Sequence, residues 1–333
     1  MPLTQLNFQP GIDTENTPTG AEGRWIDCDK VRFRKGLPQK IGGWTKFSTA
    51  YYVGVGRALE QWFALDGSRY EALGTDRKVY AYVAGTNQDI TPIRSTDALV
   101  NAISTITNSN IITITDTAHG ATKGDFITLS SVSTAVAGIP AATLDAEYEI
   151  LNISNADAYT IQSSATANAN TGPTANCTIN YQLNIGPSVQ TFGFGWGAGS
   201  WNAGTWNTPR TTSQITLDAR LWSINNWGED LVITEKDGGT YEWDLSLGMS
   251  TNRATAIANA PTTSTLSLVS TETRHVVCMG TETAIANTAT QDKMFIRWSD
   301  QENYNQWTPN VTNSAGSQRI AGGSEIRCAR PAK

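Results

Sequence analysis

Charge is scarce in this 333-residue chain: 16% of its residues are Asp, Glu, Lys or Arg, and the net charge is −6. A protein that coats nucleic acid by gripping phosphates needs a basic surplus, so that class is disfavoured. Histidine occurs only as His119 and His275, and the four cysteines, Cys28, Cys177, Cys278 and Cys328, form no CxxC pair. Zinc-type spacing is therefore missing, and neither histidine has a partner set for nucleophilic work. Widely spaced thiols fit synthesis in a reduced cytosol. No apolar run approaches membrane-spanning length. Residues 1–10 lack the basic start and apolar stretch of a signal peptide. Residues 193–199 are glycine-rich, but no Lys–Ser/Thr follows to make a phosphate loop. Apolar residues at helical spacing are also missing throughout.

What remains is β material. Aromatics make up 9% of the chain, which holds 29 glycines and 11 tryptophans, amid abundant Thr, Asn, Ser and Ala. Such a composition favours strands and turns. Residues 57–63, 69–73 and 79–83 read as three short strands with an Asp66–Gly67 turn between the first two. A similar unit spans 219–223, 230–234 and 240–244, and a third copy runs through 276–279 and 294–298. Trp62 precedes Tyr80 much as Trp222 precedes Tyr241. Repeated units of three to four antiparallel strands are the sequence form of propeller blades.

Residues 96–186 differ in kind. They hold no tryptophan and carry one cation, Lys123, against seven acids: Asp97, Asp116, Asp125, Asp145, Glu147, Glu149 and Asp157. The whole net charge lies there, leaving 23 basic and 23 acidic residues elsewhere. With aromatic repeat material on both sides, this segment reads as an inserted acidic β-barrel or sandwich domain, its strands at 111–115, 126–129, 148–153 and 159–162. The expected architecture is all-β: propeller-like repeated antiparallel strand units with a small inserted β domain. Its parts are an extended arm at 1–24, a first propeller part at 25–95, the insert at 96–186 and a second propeller part at 187–333. Residues 245–271 read as a linker or long loop, and 325–329 as a last strand.

Candidate chemistry is thin. Adjacent acids such as Asp27/Asp29, Glu229/Asp230 and Asp300/Glu302 are better read as solvated turn residues than as a hydrolytic pair, which needs two carboxyls about 5–10 Å apart. Asp66–Gly67 and Asp237–Gly238 are turns. Trp196, Trp201 and Trp206 form a glycine-spaced ladder, read as a packing or subunit-interface cluster in preference to a stacking platform for sugars or bases. Arg32 and Arg34 alternate with Val31 and Phe33, placing both arginines on the outer face of a half-buried strand. No cofactor or metal is implied.

Several of these stretches also carry a resemblance. Asp29–Lys30–Val31–Arg32–Phe33–Arg34–Lys35–Gly36–Leu37–Pro38–Gln39–Lys40 with Gly42–Gly43–Trp44 resembles the opening of tail proteins of tailed bacteriophages. Phe194–Gly195–Trp196–Gly197–Ala198–Gly199, Arg220–Leu221–Trp222–Ser223, Asn226–Trp227–Gly228–Glu229–Asp230–Leu231 and Phe295–Ile296–Arg297–Trp298–Ser299–Asp300 with Trp307 fit the same pattern. Thr117–Ala118–His119–Gly120 and Gly124–Asp125 look like small β modules inside phage tail proteins. The family is the β-propeller tail nozzle or hub of short-tailed phages. The resemblance implies a non-enzymatic virion protein made in the host cytoplasm. It would form a homo-oligomeric ring, a hexamer, that continues the DNA channel below the portal and adaptor. It would meet tail fibre or spike proteins and pass double-stranded DNA transiently. Asp116, Asp125, Asp145, Glu147 and Glu149 would then line or rim the channel, keeping DNA from sticking, or else keep an outer lobe soluble. The alternative is a receptor- or glycan-binding tail component, a propeller lectin using exposed tryptophans.

Overall fold

The computed structural model describes residues 9–46, 48–190, 218–249 and 252–330. The chain divides into two compact units, Met1–Thr49 and Ala50–Lys333. In the first unit, β1 (Val31–Arg34) pairs antiparallel with β2 (Leu37–Lys40). The hairpin turns on Lys35 and Gly36, both at positive φ, as a two-residue turn matched to strand twist requires. Val31 and Phe33 are half-buried while Arg32 and Arg34 are exposed. Residues 9–24 hold a turn and a short bridge from Ile12 to Trp25, reinforced by an Arg24–Asp13 ion pair of 3.1 Å.

The second unit contains three four-stranded antiparallel meanders and a two-sheet sandwich. The first, hereafter blade 1, runs β3 (Gly56–Phe63), β4 (Arg69–Thr75), β5 (Val79–Val83) and β6 (Thr86–Asp89) in simple order. The chain then leaves into a sandwich. One sheet of the sandwich contains β7 (Ile93–Leu99), β10 (Phe126–Ser130), β11 (Glu147–Glu149) and β15 (Cys177–Gln182), ordered β11-β10-β15-β7. The facing sheet is β12-β13-β9-β8-β14. Its members are β8 (Ile103–Thr105), β9 (Ile111–Thr115), β12 (Asn152–Asn155), β13 (Ala158–Gln162) and β14 (Thr171–Thr174). One helical turn, α1 (Ala141–Leu144), closes a corner. Blade 2 is β16 (Trp222–Trp227), β17 (Asp230–Glu235), β18 (Thr240–Trp243) and β19 (Thr255–Ala256). Blade 3 is β20 (Leu266–Val269), β21 (Val276–Met279), β22 (Phe295–Trp298) and β23 (Gly316–Arg319). The protein is thus all-β, with repeated blade-like units and a small β domain inserted between the first and second.

Alternation along the strands decides what each face covers. In blade 1, Trp62, Ala72, Val79 and Ala81 point one way and meet Trp222, Ile224, Leu231, Ile233 and Trp243 of blade 2 in one core. Trp62 and Trp243 meet edge to face at 6.3 Å. The Trp222 indole donates to the Thr75 carbonyl at 2.6 Å, and Trp62 donates to the Glu229 carbonyl at 2.9 Å. The buried ring nitrogens are therefore satisfied across the blade boundary, as burial of an N–H demands. Gly74 is there because Trp222 is: a Cβ at that position would sit 2.6 Å from the indole. The opposite face of blade 2 presents Trp227 and Val232 to Val276 and Cys278 of blade 3 and to Trp307. The Asn225 amide donates across to the Ser267 carbonyl at 3.1 Å. The sandwich has its own core, with Ile112, Ile114, Ile127, Leu129, Ile161 and Ile179 all at or near zero exposure.

Four stretches differ from their sequence reading. The strand expected at 148–153 is two, β11 and β12, in opposite sheets of the sandwich, and the one expected at 219–223 starts at Trp222 and runs to Trp227. Residues 245–271 are not a plain linker, because a 3-10 turn at Leu245–Leu247, β19 and β20 lie within them. Residues 325–329 form no strand; the last strand of blade 3 is Gly316–Arg319. Among the described residues no helix is long and apolar enough to cross a membrane.

Candidate functional site at the blade–sandwich junction

Among the described residues, a network of ion pairs lies where blade 1, the sandwich and blade 2 meet. It begins with the turn between β4 and β5. The Thr75 hydroxyl accepts the backbone N–H groups of Arg77 (3.1 Å) and Lys78 (2.8 Å), which fixes the turn and aims Lys78 inward. Lys78 is 3% exposed. Its ammonium pairs with Asp89 at 2.8 Å and with Glu147 of the sandwich, and lies 4.2 Å from the Phe126 ring centre. Arg253, just before β19, reaches Asp89 at 3.0 Å and Glu147 at 3.2 Å. Gln182 donates to the same Glu147 carboxylate at 2.7 Å, and Arg77 pairs with Glu149 at 3.1 Å.

Two cations and two anions neutralise one another around the enclosed Lys78, with Glu147 at the exposed edge, and Lys78 and Asp89 each need a partner. Burial pushes the Asp89 carboxyl upward, but Arg253 and Lys78 outweigh it and hold the group below its ordinary range. A carboxyl depressed on folding stabilises above its unfolded value of about 3.9, and that contribution is lost as pH falls through the lower folded value. Urea midpoints measured from pH 7 downward should fall steeply in the acid limb, and Asp89→Asn should show a shallower acid limb. An identical acid limb in the variant would remove Asp89 from this role.

The five acids read as channel candidates occupy different environments. Asp116 is buried and accepts the Tyr181 hydroxyl at 2.6 Å; that hydroxyl also lies 2.9 Å from the Tyr159 hydroxyl. Burial raises the pKa of both tyrosines. Asp125, 1% exposed, accepts backbone N–H groups from Thr122 (2.6 Å) and Ile185 (2.8 Å). Asp145 is exposed and accepts from the Val132 N–H at 3.0 Å. Glu147 and Glu149 project toward the blades, as described above. His119 is a buried packing residue whose Nδ1 accepts the Ala121 N–H at 3.0 Å, with its ring edge-on to Tyr159.

Arg32 lies on the exposed face of β1, where it donates to Gln39 at 3.1 Å, and Arg34 lies on the same face. Trp196, Trp201 and Trp206 lie outside the described residues. Lys78, Asp89 and Arg253 were not singled out from the sequence. The one signal was a lysine directly abutting the apolar run Val79–Val83, and nothing local marked its partners.

At the same end of the blades, where β3, β16 and β20 begin, is a cleft of about 390 Å³ lined by Arg57, Trp222, Lys236, Leu266 and Arg327 among others. Its lining is cationic and hydroxylated and contains no carboxylate. Two of the three cations are paired from behind, Lys236 by Asp218 and Arg327 by Glu325. Among the described residues no cluster of three or more His, Cys, Asp or Glu side chains is placed to hold a metal.

Fold and junction together define a class: an all-β protein of stacked propeller-like blades with a sandwich pinned to the blade ends by ion pairs to the enclosed Lys78 and to Arg77 and Arg253. Neither a protein-family model nor a curated protein matches the chain. Among solved structures it is similar to phage phi92 endosialidase, at 12% identity and a TM-score of 0.24. The match covers 87% of this chain and 41% of that one, so the chain spans about two fifths of that protein's length. A score that low does not define a common fold and says nothing of activity.

Proposed function

We propose that this chain is a structural protein of a bacteriophage virion, a component of the tail nozzle or hub. Copies form a ring, a hexamer, that continues the DNA channel below the portal and adaptor and meets tail fibre or spike proteins. The reading assigns no catalytic step. One observation carries it: the ion-pair network at the junction braces one β body against another, with Lys78, Asp89, Glu147 and Arg253 consumed as mutual partners. That is the economy of a body that bears load.

The resemblance of the 29–44 and 194–231 stretches to phage tail proteins adds the location. The same reading keeps 1–24 as an arm, 25–95 and 187–333 as the two propeller parts and 96–186 as the insert. It gives Arg32, Arg34 and the Trp196, Trp201, Trp206 ladder to contacts between subunits. Of the five candidate acids, Asp145, Glu147 and Glu149 are exposed, and such acids suit a surface that repels passing DNA.

The test is the position of the chain in assembled particles. Purified virions analysed by mass spectrometry and cryo-electron microscopy should contain it as a ring below the portal. Virions that lack it, or that carry it only as isolated copies on the capsid, overturn the proposal.

A further inference from the structure

Blade 2 is covered on both faces, by blade 1 and by blade 3. Blades 1 and 3 each have one face turned away from blade 2, and those two faces are unlike solvated sheet. In blade 3 the register aligns Leu266 with Met279, Leu268 with Val277, Val277 with Trp298 and Met279 with Ile296. These six side chains therefore share one face, opposite the one that Val276 and Cys278 bury against blade 2. All six are only partly buried, and none belongs to any of the three cores. A solvated antiparallel face alternates to polar residues; this one does not.

The outward face of blade 1 is covered at its far strands. The Val53 N–H donates to the Tyr80 hydroxyl at 3.0 Å, bringing the 51–55 segment over Tyr80 and Tyr82, both buried. Its first strand is left open: Leu59 is 70% exposed and Phe63 57% exposed. Their neighbours in the strand, Ala58 and Trp62, face blade 2. Blades 1, 2 and 3 already stack through their first strands, β3 on β16 and β16 on β20. The exposed Leu59 and Phe63 of β3 and the half-buried Leu266 and Leu268 of β20 lie where the next contact in that series falls.

We propose that the outward face of blade 3 docks on the outward face of blade 1 of a second copy of this chain, repeating between copies the stacking found within one. The contact is heterologous, joining two different patches, so it generates a ring when its rotation closes. In such a ring each copy engages both neighbours, one through each face. This inference rests on the homo-oligomeric part of the function proposed above and supplies its contact.

Three proteins and one mixture test it by light scattering after size exclusion. The wild type should run as a closed oligomer. Leu59→Asp, which breaks the blade 1 face, and Leu268→Asp, which breaks the blade 3 face, should each be monomeric. Mixed, they retain one intact contact and should form a one-to-one pair and nothing larger. Leu59 is already mostly exposed, so its variant keeps the fold; if Leu268→Asp loses the near-ultraviolet circular dichroism of the wild type, Val277→Thr replaces it. A monomeric wild type at every soluble concentration overturns the proposal. So does assembly unchanged in either variant, or a mixture that stays monomeric. Any of these results with the chain still found in a virion ring refutes this contact and leaves the function standing.

Discussion

Trp243→Ala should cost about 3–5 kcal/mol of stability, the range for deleting a large aromatic side chain from a core. Trp243 has zero exposure and lies where β18 meets blade 1, edge-on to Trp62. Its indole nitrogen donates to the Asn252 carbonyl at 3.2 Å, so truncation removes packing and also leaves a carbonyl short of a donor. Neighbours cannot collapse into the space, because Ile233, Leu231 and Ala72 are held in paired strands on either side. The cavity should therefore persist. Urea unfolding followed by tryptophan fluorescence would show a midpoint well below that of the wild type with a similar slope. A loss under about 1 kcal/mol would mean that the two blades do not depend on this core for their union.

Lys78→Ala should be comparably damaging, about 3–5 kcal/mol, because it removes one partner of a buried ion pair and strands the other. Asp89 would keep Arg253, but its second oxygen would face the low-dielectric corner with no cation. The informative control is the double variant Lys78→Met, Asp89→Leu. Replacing both charges with apolar side chains of similar volume avoids the stranded carboxylate and should recover a large part of the loss. A double variant no better than Lys78→Ala would instead place the cost in Glu147, the anion that joins the sandwich to the blades. Limited proteolysis between 183 and 190 would then rise in both variants.

How much of this was readable in advance differs by element. The β17 and β18 strands were legible because Leu231–Ile233 and Tyr241–Trp243 are apolar or aromatic runs with a glycine turn between them. β16 was expected at 219–223 but runs Trp222–Trp227. Asn225 and Asn226, poor strand formers, hid its second half, although Asn225 has a cross-blade acceptor waiting in Ser267. β20 was hidden by the threonines before it, and β23 by the absence of any apolar residue in Gly316–Arg319. An outer strand of that kind is held by its ladder to β22 and by the Arg319–Asp292 ion pair, and hydrophobic pattern cannot reveal it. The acidic character of the insert was plain, but its use was not. Glu147 meets Lys78 from 69 residues away and Arg253 from 106 residues away, and no local pattern encodes such a meeting.

The position of the sandwich between blades 1 and 2 fixes an order of events on the ribosome. Blade 1 is complete at Asp89, yet the side chains that cover its Trp62 face include Trp222, Ile233 and Trp243 and reach as far as Ala254. At ordinary translation speeds, roughly 150 further residues take about 8–30 s. The sandwich, whose core is internal to residues 99–181, can fold well inside that interval. The nascent chain therefore carries a finished sandwich beside a naked first blade. Its greatest hazard of sticking to other chains falls in those seconds, before the second blade arrives.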